Sequence, residues 1–186
     1  DKYLPISLQY RPYTADTARD PSIAGDIVDG TKENRSYRGK SVTASNESDL
    51  DLLLSVREAL PDAKVILIVE GTNNAQCFYE IEPSADVILW SWASSGRNFG
   101  KTYGRILKGE VEPSGLLPCQ MPSDMLTVEA SQEDVPRDLE CYVDAEGNAY
   151  DFCFGLNWSG KIDDDRVRAY AVDALTKPET EVLPDE

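Results

Sequence analysis

Three carboxylates, Asp26, Asp29 and Glu33, stand in one short polar stretch, and Glu33 opens the run Glu33-Asn34-Arg35-Ser36-Tyr37-Arg38-Gly39-Lys40. A loop carboxyl with cationic neighbours can serve as a general acid or base, because the neighbours orient it and bias its proton affinity. Arg35 and Lys40 suit such positioning, or the binding of hydroxyl-rich ligands, and Tyr10, Tyr13 and Tyr37 add aromatic surface. The chain has no histidine, which removes Ser-His-Asp and Cys-His nucleophile systems and any imidazole base.

Cys77, Cys119, Cys141 and Cys153 form no C-x-x-C pair, and without histidine a Cys/His zinc site is excluded. No metal site is expected. Cys119 and Cys153 sit in apolar segments and read, with the others, as buried free thiols.

Gly96-Arg97-Asn98-Phe99-Gly100-Lys101-Thr102 imitates a phosphate-cradling loop, since it follows an apolar run and opens a helical pattern. The Walker spacing places four residues between its first glycine and G-K-T, whereas three stand here, and Ser95 occupies the position of that glycine. A shorter loop cannot wrap a phosphate with the same ring of N–H groups, so the segment reads as a turn into a helix.

The elements that would position these residues alternate. Ser48-Asp49-Leu50-Asp51 is close to a capping box and precedes Leu50, Leu53, Leu54, Val56 and Leu60, an amphipathic helix ending before Pro61. Val65-Ile66-Leu67-Ile68-Val69 is a wholly apolar run of the kind found in buried parallel strands. A helix over about 75–82, a second buried strand over 86–92 and a helix from about Asn98 to Lys108, stopped by Gly109, complete an α-β-α-β-α order. Such alternation predicts parallel strands with helices on both faces, and Trp92 at the C-terminal end of its strand stands where open parallel sheets bind ligands. Val111–Pro122 is extended and proline-bounded, a candidate further strand. Residues 1–47 read as a long loop region packed on the domain, 48–160 as its core, and 161–186 as an acidic tail with a short helix over Asp165–Ala174.

At 186 residues the chain suits one domain, and its net charge of −16 argues against nucleic-acid backbones and anionic membranes as partners. No apolar run reaches the ~18 residues of a membrane span.

Two ordered segments resemble the C-terminal α/β sandwich domain of family 3 glycoside hydrolases, the β-glucosidase family. The first is Ser84-Ala85-Asp86-Val87-Ile88-Leu89-Trp90, a glycine-bearing loop, then Gly109-Glu110-Val111-Glu112-Pro113-Ser114-Gly115-Leu116-Leu117-Pro118. The second is Tyr150-Asp151-Phe152-Cys153-Phe154-Gly155-Leu156-Asn157-Trp158, in which Trp158 reads as a structural residue. Pro5–Ala15 and Glu33–Lys40 are similar to insertion loops of bacterial members.

The resemblance implies a three-layer, flavodoxin-like α/β sandwich with a mostly parallel sheet that lacks its first strand within this chain. It implies a retaining exo-acting β-glycosidase that removes terminal β-linked glucose, with the nucleophilic aspartate on an N-terminal (β/α)8 barrel outside this chain. The chain is then one part of a larger assembly, inactive alone, cofactor-free, and exported by a signal further upstream. Glu33 falls in the neighbourhood of the family's acid/base glutamate, although the family's short spacing to a D-R-x-x-L element is not reproduced. Arg35, Tyr37 and Trp92 would bind the sugar. The alternative of another class is a stand-alone, non-catalytic module that binds carbohydrate or protein. A nucleotide-binding flavodoxin-like domain is a third reading, disfavoured by the broken phosphate-loop spacing.

Overall fold

The α/β alternation begins where the sequence pattern places it. In a computed structural model describing residues 4–72, 74–92, 99–131 and 138–171, helix α1 spans Glu47–Ala59. Leu50 and Leu53 turn inward, Glu47 and Asp49 lie in the first turn where the helix dipole favours negative charge, and Arg57 lies in the last. Pro61 stands just past the end, where a helix cannot continue. Four two-residue strands precede α1. β1 (Tyr13–Thr14) pairs antiparallel with β4 (Ser41–Val42), and β2 (Ile27–Val28) with β3 (Thr31–Lys32). Residues 1–46 are thus mostly loop held by two small ladders, and Ala15, Ala18 and Val42 form a buried cluster beneath Tyr13 and Tyr37.

The two apolar runs form β5 (Ile66–Thr72) and β6 (Val87–Trp92), paired in parallel with Ile66 opposite Val87 and Val69 opposite Trp90. A helix, α2, follows at Phe99–Leu107 and ends at Gly109, whose φ of +72° is the left-handed geometry of a helix stop. The segment Gly96–Asn98, which carries the start of the imitation phosphate loop, lies outside the described residues.

The expected three-layer, flavodoxin-like sandwich with a mostly parallel sheet is not what the chain forms. Among the described residues there are four two-stranded sheets, and β5–β6 is the parallel pair. The physical reason lies in the remaining segments. Residues 65–69 and 87–92 are mainly apolar runs free of proline, whereas Pro113, Pro118 and Pro122 break the extended Val111–Pro122 stretch. That stretch instead trades scattered bonds with the chain's end: Leu117 N–H donates to Phe154 O at 2.7 Å, Cys153 N–H to Leu117 O at 2.8 Å, and Met121 N–H to Tyr150 O at 2.9 Å.

The helix expected over 75–82 is also absent. Cys77 N–H is engaged by Leu8 O at 2.9 Å, turns run through Phe78–Ile81, and Pro83 sits in the first turn of a 3-10 segment, Glu82–Ser84. A six-residue helix, α3 (Met125–Ala130), takes its place in the architecture, capped by Asp124, whose side chain accepts from Thr127 N–H. The chain closes with β7 (Leu156–Asn157), β8 (Gly160–Lys161) and α4 (Asp165–Tyr170), capped by Asp164. Ala171 is the C-cap of α4, so the helix ends before the expected Ala174, and the acidic tail beyond residue 171 lies outside the described residues.

The main core joins both halves of the chain. Tyr10, Leu50, Leu53, Val69, Phe78, Ile81 and Met121 are buried together, and Leu67, Ile88, Trp90, Tyr142 and Tyr150 pack on them. Tyr150 lies at the centre of an aromatic file, with ring centroids 5.3 Å from Phe78, 5.2 Å from Tyr142 and 4.9 Å from Phe154. Truncating a side chain buried as fully as Met121 costs about 2–5 kcal/mol, because lost transfer energy and the cavity add. Trp158, read from the sequence as structural, is 57% exposed on the β7–β8 turn.

Candidate functional site

Glu33 follows directly on β3, and backbone contacts place it. Its N–H donates to Asp26 O at 2.8 Å, closing the loop around the β2–β3 hairpin. Gly25 approaches the Glu33 carbonyl so closely that a Cβ at Gly25 would collide with it, and Gly25 has a φ of +147°. That φ is open to glycine and strained for other residues. Glycine is thus what lets the chain pass under Glu33.

The Glu33 carboxylate is half-buried and accepts from Arg35 Nε at 3.1 Å. The same guanidinium donates to Asp26 at 2.7 Å, so Arg35 gathers two of the three loop carboxylates. Arg35 is itself anchored, its N–H donating to Ser22 Oγ at 2.7 Å. The structure therefore brings Glu33, Arg35 and Asp26 together. Asp29 stands at the tip of the hairpin with a φ of +52°. Its role there is the turn, since Asp tolerates the left-handed region better than most residues.

Tyr37 belongs to another group. It packs with Tyr13 over the Ala15–Ala18–Val42 cluster and meets Glu129 of α3. Tyr13 Oη donates to Glu129 Oε1 at 2.7 Å, and Thr17 Oγ1 reaches Glu129 Oε2 at 3.3 Å and donates to Leu126 O at 2.7 Å. Burial raises the Glu129 carboxyl above its usual range, against the pull of the hydrogen bonds from Tyr13 and Thr17. Burial and the neighbouring Glu129 charge also raise the Tyr13 and Tyr37 phenols. Beside them lies an open cavity of about 380 Å³, lined by Leu8, Tyr37, Asn74, Ala75, Met125 and Val128 among others. It is mainly apolar, with the Tyr37 ring and the Asn74 amide as polar-bearing walls.

Trp92 ends β6, in register with Thr72, and so stands at the C-terminal end of the parallel pair. Its side chain lies outside the described residues. Tyr10 is core rather than site: it is buried against Leu50 and Leu53, and burial pushes its phenol to about 12, with Asp49 and Glu80 adding to the shift.

Glu129 is the residue the sequence did not single out. No local motif joins it to Tyr13, 116 positions away; only the Asp124 cap signalled that a helix begins nearby. All four cysteines are free thiols, Cys77 and Cys153 buried and the other two half-buried. Among the described residues, no group of three or more Cys, Asp or Glu is arranged to hold a metal ion, and no helix is long and apolar enough to cross a membrane. Set beside protein-family models, curated proteins and solved structures, the chain has no significant match.

Proposed function

We propose that this chain is the C-terminal part of a retaining exo-β-glycosidase, releasing terminal β-linked glucose once a (β/α)8 barrel supplies the nucleophilic aspartate. The observation that carries the reading is Glu33, a half-buried carboxylate oriented by Arg35 on a loop closed by Gly25. In this role Glu33 protonates the glycosidic oxygen as the nucleophile attacks, then takes a proton from the water that hydrolyses the glycosyl-enzyme. The two carboxyls must then stand about 5–5.5 Å apart in the assembled enzyme. Arg35 positions Glu33, Tyr37 and Trp92 bind the sugar once the barrel completes the site, no cofactor takes part, and the enzyme is exported.

The experiment is co-expression with a barrel polypeptide and a comparison of leaving groups. Glu33→Gln should cut turnover of alkyl glucosides by about 10²–10⁴-fold and leave activated aryl glucosides, which need no protonation, much less affected. Equal losses on both substrate types remove Glu33 from the acid/base role.

A second reading, a non-catalytic protein-binding module, is favoured by one observation: Ile66, Ile68, Leu52 and Val87 are apolar and exposed around β5 and β6.

A further inference from the structure

β5 has one edge with no strand against it among the described residues. Val65 defines which edge: its carbonyl accepts from Asp86 N–H at 2.8 Å and its N–H donates to Asp86 Oδ2 at 2.9 Å, so its polar groups face β6. Backbone polarity alternates along a regular strand, so the N–H and C=O groups of Ile66 and Ile68, before the register shift at Val69–Thr72, face the other way. A groove of about 630 Å³ runs along that edge. Its walls are Leu52, Leu53 and Val56 of α1 and residues 65–70 of β5, with Tyr10 and Gln76 at its margin. Unpaired strand edges bordered by apolar side chains are templates for strand addition.

Charge selects the occupant. Asp49 and Glu70 line the groove and no Lys or Arg does, while the whole chain carries −16. Two copies pairing edge to edge would bring these acids and two strongly negative bodies together. The acidic segment 172–186 of the chain itself meets the same repulsion. We infer that the free edge of β5 accepts an extended, apolar segment of a partner polypeptide with flanking Lys or Arg residues, which adds as a third strand over the Leu52–Val56 face of α1. The backbone ladder supplies affinity, and the apolar groove with Asp49 and Glu70 at its one acidic end supplies selectivity. No glycosidase chemistry enters, so this inference stands or falls separately from the function proposed above.

The probe is a fluorescein-labelled nine-residue peptide of alternating Val and Thr with a Lys at each end, titrated against the full chain and followed by anisotropy. Two controls carry either Glu at both ends or Pro in place of the central Val. The lysine peptide should bind, with each control weaker by about tenfold or more. Ile68→Gln, at an exposed position, should weaken binding while leaving the far-ultraviolet circular dichroism unchanged. Equal binding of the Pro peptide means charge attraction without strand addition and overturns the inference, as does no binding by any peptide. A dimer in sedimentation that Ile68→Gln dissociates assigns the groove to a second copy and overturns it too. Should Ile68→Gln unfold the chain, the peptide series decides alone.

Discussion

Gly155 lies against the carbonyl oxygen of Gly115 so tightly that a Cβ on Gly155 has no room. These glycines come from segments forty residues apart, Pro113-Ser114-Gly115 and Phe154-Gly155-Leu156, and their approach is sealed by the Leu117–Phe154 and Cys153–Leu117 backbone bonds. Gly155→Ala should therefore destabilise the chain by about 1–3 kcal/mol, the usual cost of forcing an added methyl group into packed structure. Urea unfolding monitored by tryptophan fluorescence measures it. An unchanged midpoint would mean that the Gly115 segment yields freely.

Asp86 closes the N-terminal end of the molecule's parallel pair. Its carboxylate accepts from Val65 N–H, Lys64 Nζ and Arg57 Nη2, each at 2.9 Å, and these bonds, Val65's first, hold its pKa far below the usual carboxylate range. A carboxyl whose folded pKa is depressed stabilises the fold above its unfolded pKa of about 3.9 and loses that contribution as pH falls below it. The stability difference between the wild-type chain and Asp86→Asn should thus be largest near neutral pH and shrink in acid. Urea midpoints at pH 7 and pH 3 give the comparison.

Cys77 is fully buried, and burial pushes its thiol to about 12, with Asp124 and Glu80 adding to the shift. Since the thiolate is the reacting species, Cys77 should resist iodoacetamide at pH 8 in the folded chain. Half-buried Cys141 should react first, and all four thiols should react in urea. Peptide mass mapping after timed alkylation reads the order. Early labelling of Cys77 would show that the core around Phe78 and Met121 opens readily.

Tyr13 and Glu129 tie the N-terminal loops to α3 through one 2.7 Å hydrogen bond. A double-mutant cycle of Tyr13→Phe and Glu129→Ala should give a coupling of about 1 kcal/mol, the net worth of such a bond at a half-buried site. Amide hydrogen exchange in residues 13–18 should accelerate in both single variants, since the loop loses one of its fastenings to the helix and keeps the Thr17–Leu126 bond. No change in exchange would mean that the Ala15–Ala18–Val42 cluster holds the loop without Glu129.

Local chemistry determined α1, β5, β6 and α2. The Leu50–Leu53 spacing, Pro61, the two β-branched runs and Gly109 act over a few residues, where helix and strand periodicity decide the outcome. The Glu33–Arg35 pairing was legible for the same reason, two positions on one short loop. The tertiary structure decided the rest. The apolar segment 75–82 satisfies helix periodicity, yet Leu8 captures Cys77 N–H and Pro83 intervenes. The extended stretch 111–122 has strand character, yet its prolines interrupt a ladder, so among the described residues the expected broad sheet becomes one parallel pair with an open edge. The meeting of Tyr13 with Glu129, and of Gly115 with Gly155, depends on how distant segments pack, and no window of sequence contains both partners.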